Sequence, residues 1–132
     1  MAINRRDVVK GVALGAAAMG TDAAVAAPSG GKIIHHVFFW LKNPDSIADR
    51  DALIDGVRAL AEIPQIRAMH VGVPAPVDPR PVVDGSYSVS ELIFFDSIED
   101  QNTYQAHPLH QAFIARFSPL WAKVVVYDTS GR

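Results

Sequence analysis

Residues 103–113 read TYQAHPLHQAF, and three of them can move or hold protons. Tyr104, His107 and His110 recur at every third position, with Pro108 between the two histidines. An imidazole titrates near neutral pH, so His110 can remove a proton from carbon beside a carbonyl without a large pKa shift. A phenol such as Tyr104 can donate a hydrogen bond to the oxygen on which negative charge then develops. On an unbroken helix the two would lie less than two turns apart. Pro108 breaks the helix, so spacing alone does not make them converge. His107 is read as structural, because the residue before proline leaves the α region and its side chain can bond a backbone group freed there. The plainer alternatives are a core aromatic with a wet hydroxyl for Tyr104 and a packing or surface residue for His110.

Three further positions could join them. His35 and His36, in IIHHVFFWLK, point to opposite faces if the segment is a strand, since side chains alternate. His70 shares a face with Ile66 and Ala68, and its role is open. Glu91 stands between Val89 and Ile93 on one face of another apolar run, where a carboxylate needs a partner or a raised pKa; it is a secondary candidate. Five histidines would suffice for a metal site, but no His-Glu-x-x-His or comparable spacing occurs. The absence of cysteine removes disulfides, thiolate catalysis and Cys-ligated zinc or iron–sulfur sites. No haem motif is present, and no cofactor is expected.

The elements that must position these groups can be read from the pattern. Ile33 to Lys42 is apolar on both parities and β-branched or aromatic, which predicts a strand covered on both faces, ended by Asn43-Pro44. Asp45 or Ser46 can cap a helix whose apolar stripe is Leu53, Ile54, Val57, Leu60 and Ala61, and Pro64 stops it. Gln65 to Val73 predicts a second strand, residues 74–86 a proline-rich loop, and Tyr87 to Phe95 a third strand. Ser97 with Asp100 resembles a capping box opening a second helix, which Pro108 interrupts and restarts as far as about Phe117. Ala122 to Asp128 predicts a last strand. The order β-α-β-β-α-β predicts an α+β, ferredoxin-like fold, an antiparallel sheet with both helices on one face. The other face is apolar too, and the simplest cover is a second copy of the chain, giving a homodimeric α/β barrel.

The first 26 residues are expected to lie outside that fold. Arg5-Arg6 precedes a short Ala- and Gly-rich run, and Ala24-Val25-Ala26 offers a signal-peptidase site, which together predict a twin-arginine export signal. Lys10 and Asp22 bracket only eleven residues, too few for a span that needs about 20 apolar ones. The expected organisation is therefore a signal at 1–26 and one domain at 27–132, periplasmic or secreted, with no stable membrane association after cleavage. The mature chain of about 105 residues supports only a small core, so dimerisation would help it. A net charge of −2 with no basic run beyond the N-terminus argues against nucleic acid as a partner.

Taken in order, IIHHVFFWLK, YSVSELIFFDS, TYQAHPLHQAF and LWAKVVVYD resemble the stress-responsive dimeric α/β-barrel (Dabb) family over nearly all of residues 32–129. The resemblance implies the dimeric ferredoxin-like barrel. One relative is a plant polyketide cyclase that closes a ring by aldol condensation with no metal or organic cofactor, and its catalytic tyrosine and histidine match Tyr104 and His110. Its first-strand pocket histidine matches His35, which places His35, Val37, Phe39 and Leu41 toward the dimer cavity and His36, Phe38 and Trp40 toward the helices. A further pocket histidine of that relative falls at about Val89 here. The expectation is an exported stress-response barrel protein with a small-molecule pocket. The alternatives are a cofactor-free lyase or cyclase using Tyr104, His110 and His35, and a metal- or haem-binding protein.

Overall fold

The computed structural model describes residues 32–132, so the expected export signal lies outside the described residues. The elements are β1 (Ile33–Leu41), α1 (Ile47–Ala59), β2 (Ala68–Gly72), β3 (Val89–Phe95), α2 (Ile98–Ala106), α3 (Pro108–Phe117) and β4 (Trp121–Ser130). Short 3-10 turns at Leu60–Glu62 and Ser118–Leu120 follow α1 and α3. The strands form one antiparallel sheet in the order β2-β3-β1-β4. This is the ferredoxin-like α+β fold; the second helical segment of the β-α-β-β-α-β order is two helices, divided at the interruption that Pro108 predicts. His107 is extended (φ −65°, ψ 138°), and its Nδ1 accepts the Leu109 N–H at 3.0 Å, so it ends α2 and caps α3. Pro108 then occupies the first helical position, where its missing N–H costs nothing.

Local chemistry explains the other boundaries. Ser46, rather than Asp45, caps α1 by accepting the Asp49 N–H at 3.1 Å, and Ser97 caps α2 by accepting the Asp100 N–H at 3.1 Å. The second strand is shorter than expected, β2 covering Ala68–Gly72, whereas β4 is longer, Trp121–Ser130. The proline-rich loop is tied back to β1 by the Ser88 N–H donating to the Phe39 carbonyl (2.7 Å) and Trp40 Nε1–H donating to Ser86 Oγ (3.0 Å).

β1 alternates strictly between buried and half-buried, and this decides which face each histidine takes. Ile33, His35, Val37, Phe39 and Leu41 lie under the helices, in a core with Leu53, Val57, Ile93, Phe95, Tyr104 and Phe113. His36, Phe38 and Trp40 lie on the open face. The expected facing is therefore reversed: His35 packs toward the helices and His36 away from them. Alternation puts the two on opposite faces, but both faces of β1 are apolar, so parity alone does not say which one the helices cover. On the open face Phe38 stacks with His36 (4.2 Å between centroids), Tyr87 (4.9 Å) and Tyr127 (6.1 Å), and Lys123 Nζ sits 4.5 Å over the Trp40 ring. His70, paired with Leu92 as is His36, is on this face too.

Candidate active site

The three residues singled out for chemistry, His35, Tyr104 and His110, line one cavity of about 130 Å³ beneath α2 and α3, together with Glu91, Phe113 and Trp121. Strand β1 supplies His35, β3 supplies Glu91, the last turn of α2 supplies Tyr104 and the first turn of α3 supplies His110. The Tyr104 ring lies 5.9 Å from the His35 ring and 4.6 Å from that of His110. The break at His107 turns α3 relative to α2 and so brings His110 back against Tyr104. His107 is outside the cavity, occupied with the backbone. β4 closes the remaining side with Val124 and Val126, which stay partly exposed.

His35 is almost fully buried, and its Nδ1 lies 2.6 Å from Asp128 Oδ1 on β4. The antiparallel register of β1 and β4 sets Asp128 directly opposite His35. An ionised carboxylate can only accept, so Nδ1 carries the hydrogen and Nε2 is the atom free to take a proton. The Gln101 amide lies 3.2 Å from the same Nδ1. It is the amide nitrogen that faces Nδ1, so with the Nδ1 hydrogen directed to Asp128 the Gln101 contact is a close approach and not a second hydrogen bond. The result is an imidazole held in one tautomer and one orientation by a carboxylate. Asp128 was not singled out from the sequence; its only signal there is a charge that continues the alternation of Val124 and Val126 at the strand's end.

Glu91 is 2 % exposed, and Tyr104 donates its hydroxyl hydrogen to Glu91 Oε2 at 3.0 Å. Loss of water raises the Glu91 carboxyl to about 7, against which the tyrosine hydrogen bond works only in part. Burial, the neighbouring Glu91 charge and that same bond push the Tyr104 phenol far above its ordinary range, so it stays a neutral O–H. His110 is lowered chiefly by burial; its bond to the Gln105 backbone opposes this, and the charge of His35 adds to it. It is therefore a neutral imidazole near pH 7. Two histidines that can accept protons, a phenol and a carboxylic acid thus share one small, largely apolar cavity.

Other candidates stand apart from it. His36 and His70 are on the opposite side of the sheet. A larger concavity of about 460 Å³ lies between α1 and α3, where Ala52, Ala59, Leu109 and Phe117 meet Asp55 and Arg116; it holds no histidine or tyrosine. Among the described residues no three His, Asp or Glu side chains converge as metal ligands. Among them, too, no helix is long and apolar enough to cross a membrane.

Solved structures with this fold include a Dabb family protein with a ferredoxin-like fold from Mesorhizobium loti (24 % identity, TM-score 0.62, covering 76 % of this chain and 96 % of that one). A dimeric ferredoxin-like protein from Thermobifida fusca is similar at 22 % identity and TM-score 0.62, over 76 % and 92 % of the two chains. A hydroxynitrile lyase from Passiflora edulis is similar at 23 % identity and TM-score 0.63, over 77 % and 94 %. At these identities the likeness speaks for the fold. No curated protein matches the sequence significantly. The model of the stress responsive A/B barrel domain matches residues 33–130, nearly the whole of the described fold, and the chain belongs to that Dabb family.

Proposed function

We propose that this protein is an exported homodimer whose cavity performs cofactor-free acid–base chemistry on a small carbonyl compound. The observation that carries the reading is the His35–Asp128 pair, an oriented imidazole facing a cavity it shares with Tyr104 and the neutral His110. A cavity of about 130 Å³ is well below the ~300–1,000 Å³ that encloses drug-sized ligands, which favours a small substrate.

In this mechanism His35 Nε2 takes the proton from carbon beside a carbonyl, and Asp128 stabilises the imidazolium that forms. The electron pair of the broken C–H bond moves onto the carbonyl oxygen, which receives a hydrogen bond from Tyr104. The enolate then either attacks a second carbonyl carbon or takes a proton back. His110 exchanges protons on the other side of the Tyr104 ring. The same groups suit the cleavage of a cyanohydrin: the base takes the hydroxyl proton, the C–CN pair leaves with cyanide, and cyanide is protonated as the carbonyl forms. The similarity to a hydroxynitrile lyase is consistent with lyase chemistry of this kind.

The open face, with Phe38, Trp40, Leu92 and Tyr127 only partly covered, supports a second copy of the sheet as its cover, and a dimeric relative of the same fold agrees. Residues 1–26 direct export by the twin-arginine route, with cleavage after Ala26. The test uses chain exported by a host with that pathway intact. Native mass spectrometry should give a dimer starting at Ala27. Deuterium exchange at the methyl carbon of acetophenone, read by NMR, and release of benzaldehyde from mandelonitrile, read by absorbance, probe the chemistry. Wild type should accelerate at least one, and His35→Ala and His110→Ala should each lose about 10²–10⁴-fold. Rates no faster than buffer with both probes, or variants as active as wild type, would refute the catalytic reading.

A further inference from the structure

Tyr104 has a single hydroxyl hydrogen, and Glu91 receives it. While that bond persists, the phenol offers the cavity only lone pairs and cannot donate to a substrate oxygen. From this geometry we infer that Glu91 is a positioning residue that sets the direction of the Tyr104 hydrogen bond: protonated, it donates to Tyr104 Oη and frees the phenolic hydrogen for the substrate, and ionised, it takes that hydrogen away. The inference rests on the proposed acid–base reading of the cavity and adds a condition to it, namely that the working form of the site holds Glu91 as a carboxylic acid.

The surroundings suit this role. Glu91 lies in the middle of β3, paired with Val37 on β1 and Val71 on β2, and Tyr104 is its hydrogen-bond partner among the described residues. The titratable groups that face the same cavity are Tyr104 from α2, His110 from α3 and His35 from β1, with Asp128 of β4 reached through His35. The buried residues of α1 are Leu53, Gly56 and Val57, none of which titrates. No Lys or Arg lines the cavity to hold the carboxylate in its charged form. The loss of water therefore dominates, and the carboxyl changes charge near neutrality, where a small change in pH reverses the bond.

The test compares wild type, Glu91→Gln and Glu91→Leu. Acetophenone exchange in wild type should fall about tenfold per pH unit above a midpoint near 7. Neither variant can hold the tyrosine hydrogen with a negative charge, so both should keep exchange within about tenfold of the wild-type maximum and lack the alkaline fall. A fall that persists in both variants, or activity lost in both as completely as in Tyr104→Phe, would overturn the inference. Infrared titration of the free protein gives a reading that needs no turnover. A protonated-carboxyl band should disappear on raising the pH through about 7, vanish in Glu91→Gln and move in Tyr104→Phe. Absence of that band at pH 6 overturns the inference even if the variants fail to fold. If the band behaves as expected and wild type exchanges neither probe, it is the proposed reaction that fails and not the Glu91–Tyr104 relation.

Discussion

Replacing Glu91 with Gln should change how the stability of the fold depends on pH. Burial raises this carboxyl from its ordinary 4.5 to about 7, which means the folded chain prefers it neutral. Between those two values the native state keeps a proton that the unfolded chain has already released. Stability therefore falls as pH rises: this cost is absent below about 4.5, grows through the interval, and is complete above about 7. At about 1.4 kcal/mol per pKa unit the whole effect is about 3 kcal/mol, and about 2–3 kcal/mol of it falls between pH 5 and pH 8. Glutamine has no such titration. Urea unfolding followed by circular dichroism at pH 5, 6, 7 and 8, at one fixed protomer concentration, measures the difference directly. Wild type should lose about 2–3 kcal/mol more than Glu91→Gln across that range. Parallel curves for the two proteins would show that the carboxyl is not confined in low-dielectric surroundings, and the reasoning about its partner would fall with it.

Asp128→Asn should lower acetophenone exchange by about 10²–10⁴-fold, because an amide no longer fixes the hydrogen on His35 Nδ1. Its circular dichroism should be unchanged, since the Asp128 side chain is about half exposed. Phe38→Asp, at the centre of the open aromatic face, should turn the dimer into a monomer by light scattering; a stable dimer of this variant would place the interface elsewhere. Gly56→Ala drives a Cβ into the Phe117 ring where α1 and α3 approach, so thermal unfolding should show a loss of about 1–3 kcal/mol.

Much of this was legible in the chain because it depends on neighbours in sequence. The apolar, β-branched and aromatic run IIHHVFFWL, a cap for α1 at Asp45 or Ser46, the Ser97 cap of α2, and the proline that separates α2 from α3 act within a turn or a strand, so residue types alone reveal them. The same locality exposed Tyr104 and His110 as candidates, and the family resemblance singled out His35 from His36. What the chain could not reveal depends on contacts between distant segments. Asp128 meets His35 across 93 positions only because one antiparallel pairing sets the register of β1 and β4. Which face of β1 the helices cover is decided by how Leu53, Val57 and Phe113 pack against it, and two equally apolar faces carry no local mark of that choice. Glu91 in an apolar run was visible as an anomaly. Its resolution, a buried acid holding the hydrogen of Tyr104, exists only once α2 lies across β3 and water has been excluded from between them.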